Sequence, residues 1–369
     1  MSSRMSCLPL ASEMAKYKEI KEVLSDVWYL VSSSAELKPK ETQSLVINGT
    51  SLVLGRDEDG VAFCLRDLCP HRAVPLSEGN YDGKRIECCY HGWQFDREGK
   101  CMAIPAMGDD PGFDLHSIRV QSLPVQEKYG AIWIYYRPLS AAPSTGESIK
   151  PLISVPDLGL PDYLKMKLVS SHELTCDMDN AVIGLIDPSH VPSVHGSWLW
   201  RSKHQLKLKT KNYGPRQRGF VMKAHERKMS GLLGKILTKK ASTEINFQLP
   251  GVRIELIKYG EKFMVIVLAL YPVHDQLTIL RQYNMTDITL IRALFPALQV
   301  YGTRFLEEDV EVVRKQSKGL QQAPSTMLVG DADRLAIWYY NLKEEHLRTI
   351  SEGDFTNPVP DNSVLEYYT

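Results

Sequence analysis

Charge imbalance, long apolar runs and a cysteine framework are all missing from this chain of 369 residues. Lysine and arginine total 44 and aspartate and glutamate total 44, so the formal net charge is zero. No global field therefore draws the chain to nucleic acid or to an anionic surface. The longest uninterrupted apolar run, Phe263 to Tyr271, is nine residues, whereas a membrane-spanning helix needs about 20. That run is expected to be a buried strand. The apolar run near the start, Cys7 to Ala11, is too short for a signal-peptide core. Seven cysteines in a chain this long make no disulfide framework, which implies a reducing compartment. The expectation is a soluble, cytoplasmic protein without a transmembrane segment. Repeats and low-complexity tracts are absent too. GLLGK at 231–235 lacks the P-loop spacing and DLGLP at 157–161 is not G-x-G-x-x-G, so no dinucleotide fingerprint is present.

What the chain has is a concentrated metal-ligand pattern. Residues 69–95 read CPHRAVPLSEGNYDGKRIECCYHGWQF, which is C-x-H, sixteen intervening residues, then C-x2-H. Two thiolates and two imidazoles in that order suit a Rieske-type [2Fe–2S] centre, in which a pair of histidines replaces a pair of cysteines on one iron. Each loop offers one sulfur and one nitrogen, so two loops close over a cluster from opposite sides. Structural zinc is the alternative for two cysteines and two histidines, but zinc fingers place Cys with Cys and His with His. Cys88 and Cys89 are adjacent, and only Cys88 has the x2 spacing to His91. The assignment is Cys69, His71, Cys88 and His91, with Cys89 as a buried neighbour. Gly79, Gly83, Gly92 and Gly99 punctuate the surrounding loops, as close backbone approach requires.

Residues 12–26 show helical spacing, and Val27 to Val31 read as a strand. From there to Tyr136, short strands alternate with turn signals: QSLVIN, SLVLG, VAFCL, the cluster loops, SIRVQ and AIWIYY. The spacing predicts a small all-β domain that carries the cluster at loop tips, over residues 27–137. Residues 137–150 (RPLSAAPSTGESIK) are rich in Pro, Ser and Gly and mark a boundary. A second domain, 151–350, opens with LKMKLVSSHEL and a helix from Asp177. It continues with TEINFQLPG, VRIELIKYG, KFMVIVLALYPV and QLTILRQYNM, broken at hairpin-length turns such as Gly260-Glu261. Helical stretches follow over roughly 287–318 and 331–347. Strands followed by helices point to an α+β fold, an antiparallel sheet packed on helices.

A second constellation lies at DMDNAVIGLIDPSHVPSVH (177–195), where Asp187, His190 and His195 give D-x2-H-x4-H. Two histidines five apart do not share a face of a regular helix, since five residues turn through about 500°. Pro192 between them bends the chain and could bring both imidazoles to one point. Two histidines with a carboxylate make the facial triad of a non-haem Fe(II) site. The best candidate carboxylate is in RFLEEDVEVVRKQ. If Leu306, Val310 and Val313 define a buried stripe, Asp309 is the inward acid and Glu307 and Glu308 point away. An inward acid paired with a basic residue is the bland alternative.

The order of these motifs resembles the Rieske non-haem iron oxygenases over about residues 27–345. LIDPSHVPSVH and FLEEDVEVVRKQ look most like the monooxygenase branch that contains pheophorbide a oxygenase and chlorophyllide a oxygenase. The resemblance implies a helix-grip, START-like catalytic domain after the Rieske domain. It also implies that the cluster relays electrons to a mononuclear Fe(II) held by His190, His195 and Asp309, where O2 meets a small hydrophobic substrate. Asp187 would orient His190 and link it to a cluster histidine of a neighbouring subunit, which implies a homotrimer. Electrons would come from a separate reductase or ferredoxin. The chain departs from that branch in two respects. The tail EGDFTNPVPDNSVLEYYT has neither the C-terminal membrane anchor nor the C-x2-C pair of the plant pheophorbide members. Where many relatives place an Asn three or four residues before the Asp of D-x2-H, this chain has Gly184 and Ile183, with Asn180 seven residues before Asp187.

Between Arg201 and Lys240 there are thirteen Lys or Arg against a single acid, Glu226. A solvated edge-strand face explains that stretch, as does a basic rim for an acidic redox partner, an anionic substrate or a lipid surface. MSGLLGKIL (229–237) within it reads as an amphipathic lid. His172, His204 and His225 read as structural or surface histidines. The expected function is monooxygenation of a ring-containing molecule. Oxidative demethylation or cyclisation by the same iron is an alternative, and so is a Rieske electron-transfer or ligand-binding protein without a catalytic iron.

Overall fold

Strand β1 (Val27–Ser33) is buried along its whole length, because its two faces pack on two different cores. Side chains alternate across a strand. Val27, Tyr29 and Val31 enter one hydrophobic cluster, and Trp28 and Leu30 enter another. The partner strand β11 (Ala131–Tyr136) divides in the same way, with Ile132, Ile134 and Tyr136 on one side and Ala131, Trp133 and Tyr135 on the other. The computed structural model describes residues 21–108, 112–138, 149–161, 163–195, 207–228, 240–322 and 327–368.

Three small antiparallel sheets make up the first part. One has the order β1-β11-β10, with β10 at Val125–Lys128. A second joins β2 (Glu41–Ile47), β3 (Thr50–Arg56), β4 (Ala62–Arg66) and β9 (Ser122–Leu123). The third joins β5 (Asn80–Tyr81), β6 (Arg85–Glu87), β7 (Gln94–Asp96) and β8 (Cys101–Ala103). A separate core of Val53, Phe63, Leu65, Leu76, Ile86, Phe95, Cys101, Ile104 and Val120 lies under the cluster segment. Of the 12–26 stretch, residues 12–20 lie outside the described residues and 21–26 are not helical; Leu24 enters the core from an irregular segment. One expectation fails here. SIRVQ is not a strand but the end of a 3-10 turn and one bridge, Lys100↔Arg119.

The second part is one eight-stranded antiparallel sheet in the order β12-β18-β17-β16-β15-β14-β13-β19. These strands are β12 (Lys167–Leu174), β13 (Leu208–Arg216), β14 (Gly219–Lys228), β15 (Lys240–Gln248), β16 (Val252–Tyr259), β17 (Lys262–His274), β18 (Leu277–Thr286) and β19 (Ser363–Tyr368). The long apolar run is β17, whose Val265, Val267 and Ala269 face one core while Leu268 and Leu270 face the other. Among the described residues five helices complete it: α1 (Met178–Ile186), α2 (Val191–Val194), α3 (Thr289–Ala293), α4 (Phe295–Leu320) and α5 (Arg334–Glu352). The fold is α+β, as expected. The basic stretch supplies β13 and β14, and β19, beyond residue 350, covers the edge of β13. MSGLLGKIL and His204 lie outside the described residues.

Candidate metal centres

The two cluster loops share one backbone design. In the first, Cys69 N–H donates to Val74 O at 2.8 Å and Ala73 N–H to Cys69 O at 2.8 Å. In the second, Cys88 N–H donates to Trp93 O at 2.9 Å and Gly92 N–H to Cys88 O at 3.0 Å. The fourth residue after each cysteine has positive φ, 57° at Ala73 and 69° at Gly92. A left-handed residue is needed to fold each tip back on its cysteine, and glycine adopts it without the side-chain clash that Ala73 bears. Between the loops, the chain entering β5 runs tightly against the end of β6, since a Cβ on Gly79 would lie 2.0 Å from Glu87 O. Asp67, 3% exposed, anchors the start of the first loop by accepting from Ser77 N–H at 2.7 Å and Ser77 Oγ at 2.5 Å.

Cys69 and Cys88 are buried while Cys89 is exposed. The adjacent cysteine is therefore no buried neighbour: it opens the turn that follows β6 and faces solvent. The His71 and His91 rings lie 4.5 Å apart, His71 stacks on Trp93 at 4.7 Å, and Tyr90 covers His91 at 3.8 Å. Burial pushes the Cys69 thiol up to about 11, and the Cys88 sulfur beside it adds to the rise. A bound iron reverses that by holding thiolates. Among the described residues, three or more candidate donors converge within 4.8 Å only at His190, His195 and Asp309. The four donors of the cluster loops do not converge on one point. That suits a two-iron cluster and argues against a single zinc ion.

The second centre is built by a break in the chain and one helix. Asp177 caps α1, accepting from Asn180 N–H. The helix ends at Asp187, and Pro192 opens the single turn α2, which His190 precedes and His195 follows. Both imidazoles thus leave the chain toward α4. Asp309 Oδ1 lies 3.6 Å from His190 Nε2 and 3.2 Å from His195 Nε2. His195 is 3% exposed, and its buried Nε2 makes no hydrogen bond although Asp309 Oδ1 lies beside it. A buried imidazole nitrogen beside a carboxylate and a second imidazole is the donor set that a mononuclear iron takes. Burial works against charge on His195, and the Asp309 and Glu308 carboxylates outweigh it, holding the imidazole above its ordinary range.

Glu308 does not point away from the site. Its Oε2 lies 3.0 Å from His195 Nδ1. The stripe argument counts only the angle around the helix, and a glutamate side chain is long enough to reach back across it. Phe305, one turn earlier, stacks on the His195 ring at 3.7 Å. Asp187 is differently engaged. Its Oδ1 accepts from Ser189 N–H at 2.7 Å and Ser189 Oγ at 2.6 Å, and its Oδ2 is 3.7 Å from His190 Nδ1. That separation is too long for a hydrogen bond. Burial raises the Asp187 carboxyl, and the imidazole and Ser189 together bring it below the ordinary carboxylate range. Asn180 belongs to the start of α1, where it donates to Asp177 at 2.7 Å and accepts from Gln316 at 3.4 Å. His172 is half-buried on β12 and His225 sits on β14, and neither joins the donor group.

Residues 27–124 match the Rieske [2Fe-2S] domain. The chain is 33% identical over 175 residues to chlorophyllide a oxygenase, chloroplastic, from Arabidopsis thaliana, covering 47% of this chain and 30% of that one. It is 32% identical over 173 residues to the oxygenase component of dicamba O-demethylase from Stenotrophomonas maltophilia, covering 46% and 47% respectively. The match thus spans less than half the length of these relatives. The crystal structure of dicamba monooxygenase superposes with a TM-score of 0.69 at 20% identity, covering 90% of this chain and all of that one. The two loops that pair a buried cysteine with a surface histidine and the sheet gripped by α4 thus agree with the comparisons: the chain carries a Rieske [2Fe–2S] domain and has the fold of the Rieske oxygenases.

Proposed function

We propose that the chain is the oxygenase component of a Rieske monooxygenase that oxidises a hydrophobic, ring-containing small molecule. We divide it into a Rieske domain at 27–137 and a catalytic domain at 151–350. The observation that carries this reading is the convergence of His190, His195 and Asp309 around an unpartnered, buried His195 Nε2, in a chain that also bears a Rieske domain. Cys69 and Cys88 hold one cluster iron and His71 and His91 the other. His190, His195 and Asp309 hold a mononuclear Fe(II), whose open positions supply the chemistry of O2 activation.

The protein's own residues position and shield. Burial of His195 under Phe305 keeps bulk water from that side of the site. Asp187 sits where a small rotation of its free oxygen brings it onto His190 Nδ1, and in our reading it links that imidazole to a cluster histidine of a neighbouring subunit in a trimer. Electrons come from a separate reductase or ferredoxin. The named substrates of the relatives, chlorophyllide a and dicamba, are ring compounds, which favours that class. No helix among the described residues is long and apolar enough to cross a membrane; we place the protein in the cytoplasm.

Iron content separates this reading from a Rieske protein that only binds a ligand: about three Fe per chain for the enzyme and about two for the binder. Asp309→Ala should lose about one Fe per chain and keep the cluster spectrum. Wild-type protein that holds two irons when purified anaerobically with excess Fe(II), and forms no O2-dependent product from ring compounds with a surrogate reductase, would overturn the proposal.

A further inference from the structure

His190 and His195 are held very differently, although the sequence presents them as an equivalent pair. The His190 side chain is 23% exposed, its Nδ1 has no hydrogen-bond partner, and the carboxylate facing that nitrogen, Asp187, is 3.7 Å away and bonded to Ser189. The His195 side chain is 2% exposed and is gripped on three sides by a single helix. Phe305 stacks on the ring face at 3.7 Å with planes 15° apart, Glu308 meets Nδ1 at 3.0 Å, and Asp309 Oδ1 faces Nε2 at 3.2 Å. Residues 305, 308 and 309 are neighbours on one side of a helix by the i, i+3 and i, i+4 rule. Adjacent Glu308 and Asp309 diverge by about 100°, which lets them address the two nitrogens of one ring separately.

A neutral imidazole carries one N–H and one lone pair, and the partner of one nitrogen decides the role of the other. Glu308 offers only acceptor oxygens, so it selects the tautomer with the proton on Nδ1. Nε2 is then left as a lone pair aimed at Asp309 and His190. We infer that Glu308 is a positioning residue of the mononuclear centre, orienting the His195 ring and keeping a proton on Nδ1 so that Nε2 is the nitrogen offered to iron. This rests on the reading of His190, His195 and Asp309 as an iron site. Asp187, the carboxylate that the motif spacing suggests for this task, is occupied by Ser189 and serves the other histidine.

The test is Fe(II) retention, measured anaerobically by competition with a chromophoric chelator, with the visible spectrum of the cluster as the control for folding. Glu308→Ala should weaken retention about 10–100-fold, the usual loss when a partner behind a metal ligand is removed. Glu308→Gln keeps the size of the side chain, but its amide can accept from Nδ1–H or, turned over, donate to Nδ1, so the tautomer is no longer fixed and retention should fall between wild type and Glu308→Ala. A merely structural, space-filling role would leave Glu308→Gln at wild type. Glu307→Ala, on the exposed neighbour, should leave retention unchanged. If Glu308→Ala holds Fe(II) as tightly as wild type while Asp309→Ala loses it, the inference fails and the iron site stands. If Glu308→Gln holds Fe(II) as tightly as wild type while Glu308→Ala loses it, packing explains the loss and the tautomer argument is wrong. If Asp309→Ala also keeps the third iron, the reading of the site itself is overturned.

Discussion

At the scale of single residues, the decisive contrast is between two adjacent cysteines. Cys88 is buried under the second loop and Cys89 is exposed, and only Cys88 receives the turn bond from Gly92. Cys88→Ser should bleach the visible spectrum of the purified protein, while Cys89→Ser should leave it intact. The reverse pattern would move the ligand by one position. Asp187 gives a second prediction. The amide of Asp187→Asn keeps the shape and loses the charge, so it should leave both metals largely in place and greatly slow turnover, because a charged acceptor binds an imidazole N–H more strongly than a neutral one. Single-turnover reoxidation of pre-reduced protein, with substrate and O2, checks it. A rate equal to wild type, with product formed, would reduce Asp187 to a cap that merely accepts from Ser189.

At the scale of elements, α1 must stay fixed, since its end delivers Asp187 and then both histidines. It is held to α5 by a buried ion pair: Lys343 Nζ lies 2.6 and 2.8 Å from the two oxygens of Asp179, and Tyr339 Oη donates to Asp179 at 2.6 Å. Burial raises the Asp179 carboxyl, and the Lys343 ammonium opposes that rise. Removing one partner leaves an uncompensated buried charge, which typically costs roughly 3–5 kcal/mol. Lys343→Met should therefore lower the urea midpoint strongly, and the double variant Asp179→Leu/Lys343→Met should recover much of it. A single variant as stable as wild type would show that packing alone holds α1.

At the scale of the whole molecule, the Rieske part and the sheet part are not two beads on a string. The three-stranded sheet of β1, β10 and β11 lies between two cores, each containing residues from both halves. The contact is extended by His346 on α5, whose Nε2 bonds Ser25 O at 2.9 Å and whose Nδ1 meets Arg218 at 3.1 Å. Burial, helped by Arg218 and opposed by Ser25, lowers the pKa of His346 below its ordinary 6.5. The folded state thus binds fewer protons there than the unfolded chain. Stability from this group is complete above about 6.5 and is lost as pH falls through the unfolded value toward the lowered one. The urea midpoint should drop between pH 7.5 and 5.5, and His346→Gln should flatten that slope. Parallel slopes would assign the acid sensitivity elsewhere.

The motifs alone determined the chemistry, because metal ligation demands particular atoms at particular spacings: C-x-H with C-x2-H, and the two histidines around Pro192, were legible without any fold. Continuous apolar runs such as 263–271 and the strands–then–helices order also carried the α+β class, since each side of a buried strand must be apolar. Polar strands were not legible. β13 and β19 read as a charged stretch and a tail, and they became strands by pairing with each other at the sheet edge. Glu308 was misread for a related reason. Helical angle places a Cβ, but where a long side chain ends depends on the ring it meets, and His195 reaches it from 113 residues away. Only the tertiary structure brings those two together, and only burial, which no local pattern encodes, leaves His195 Nε2 without a partner and so able to take a metal.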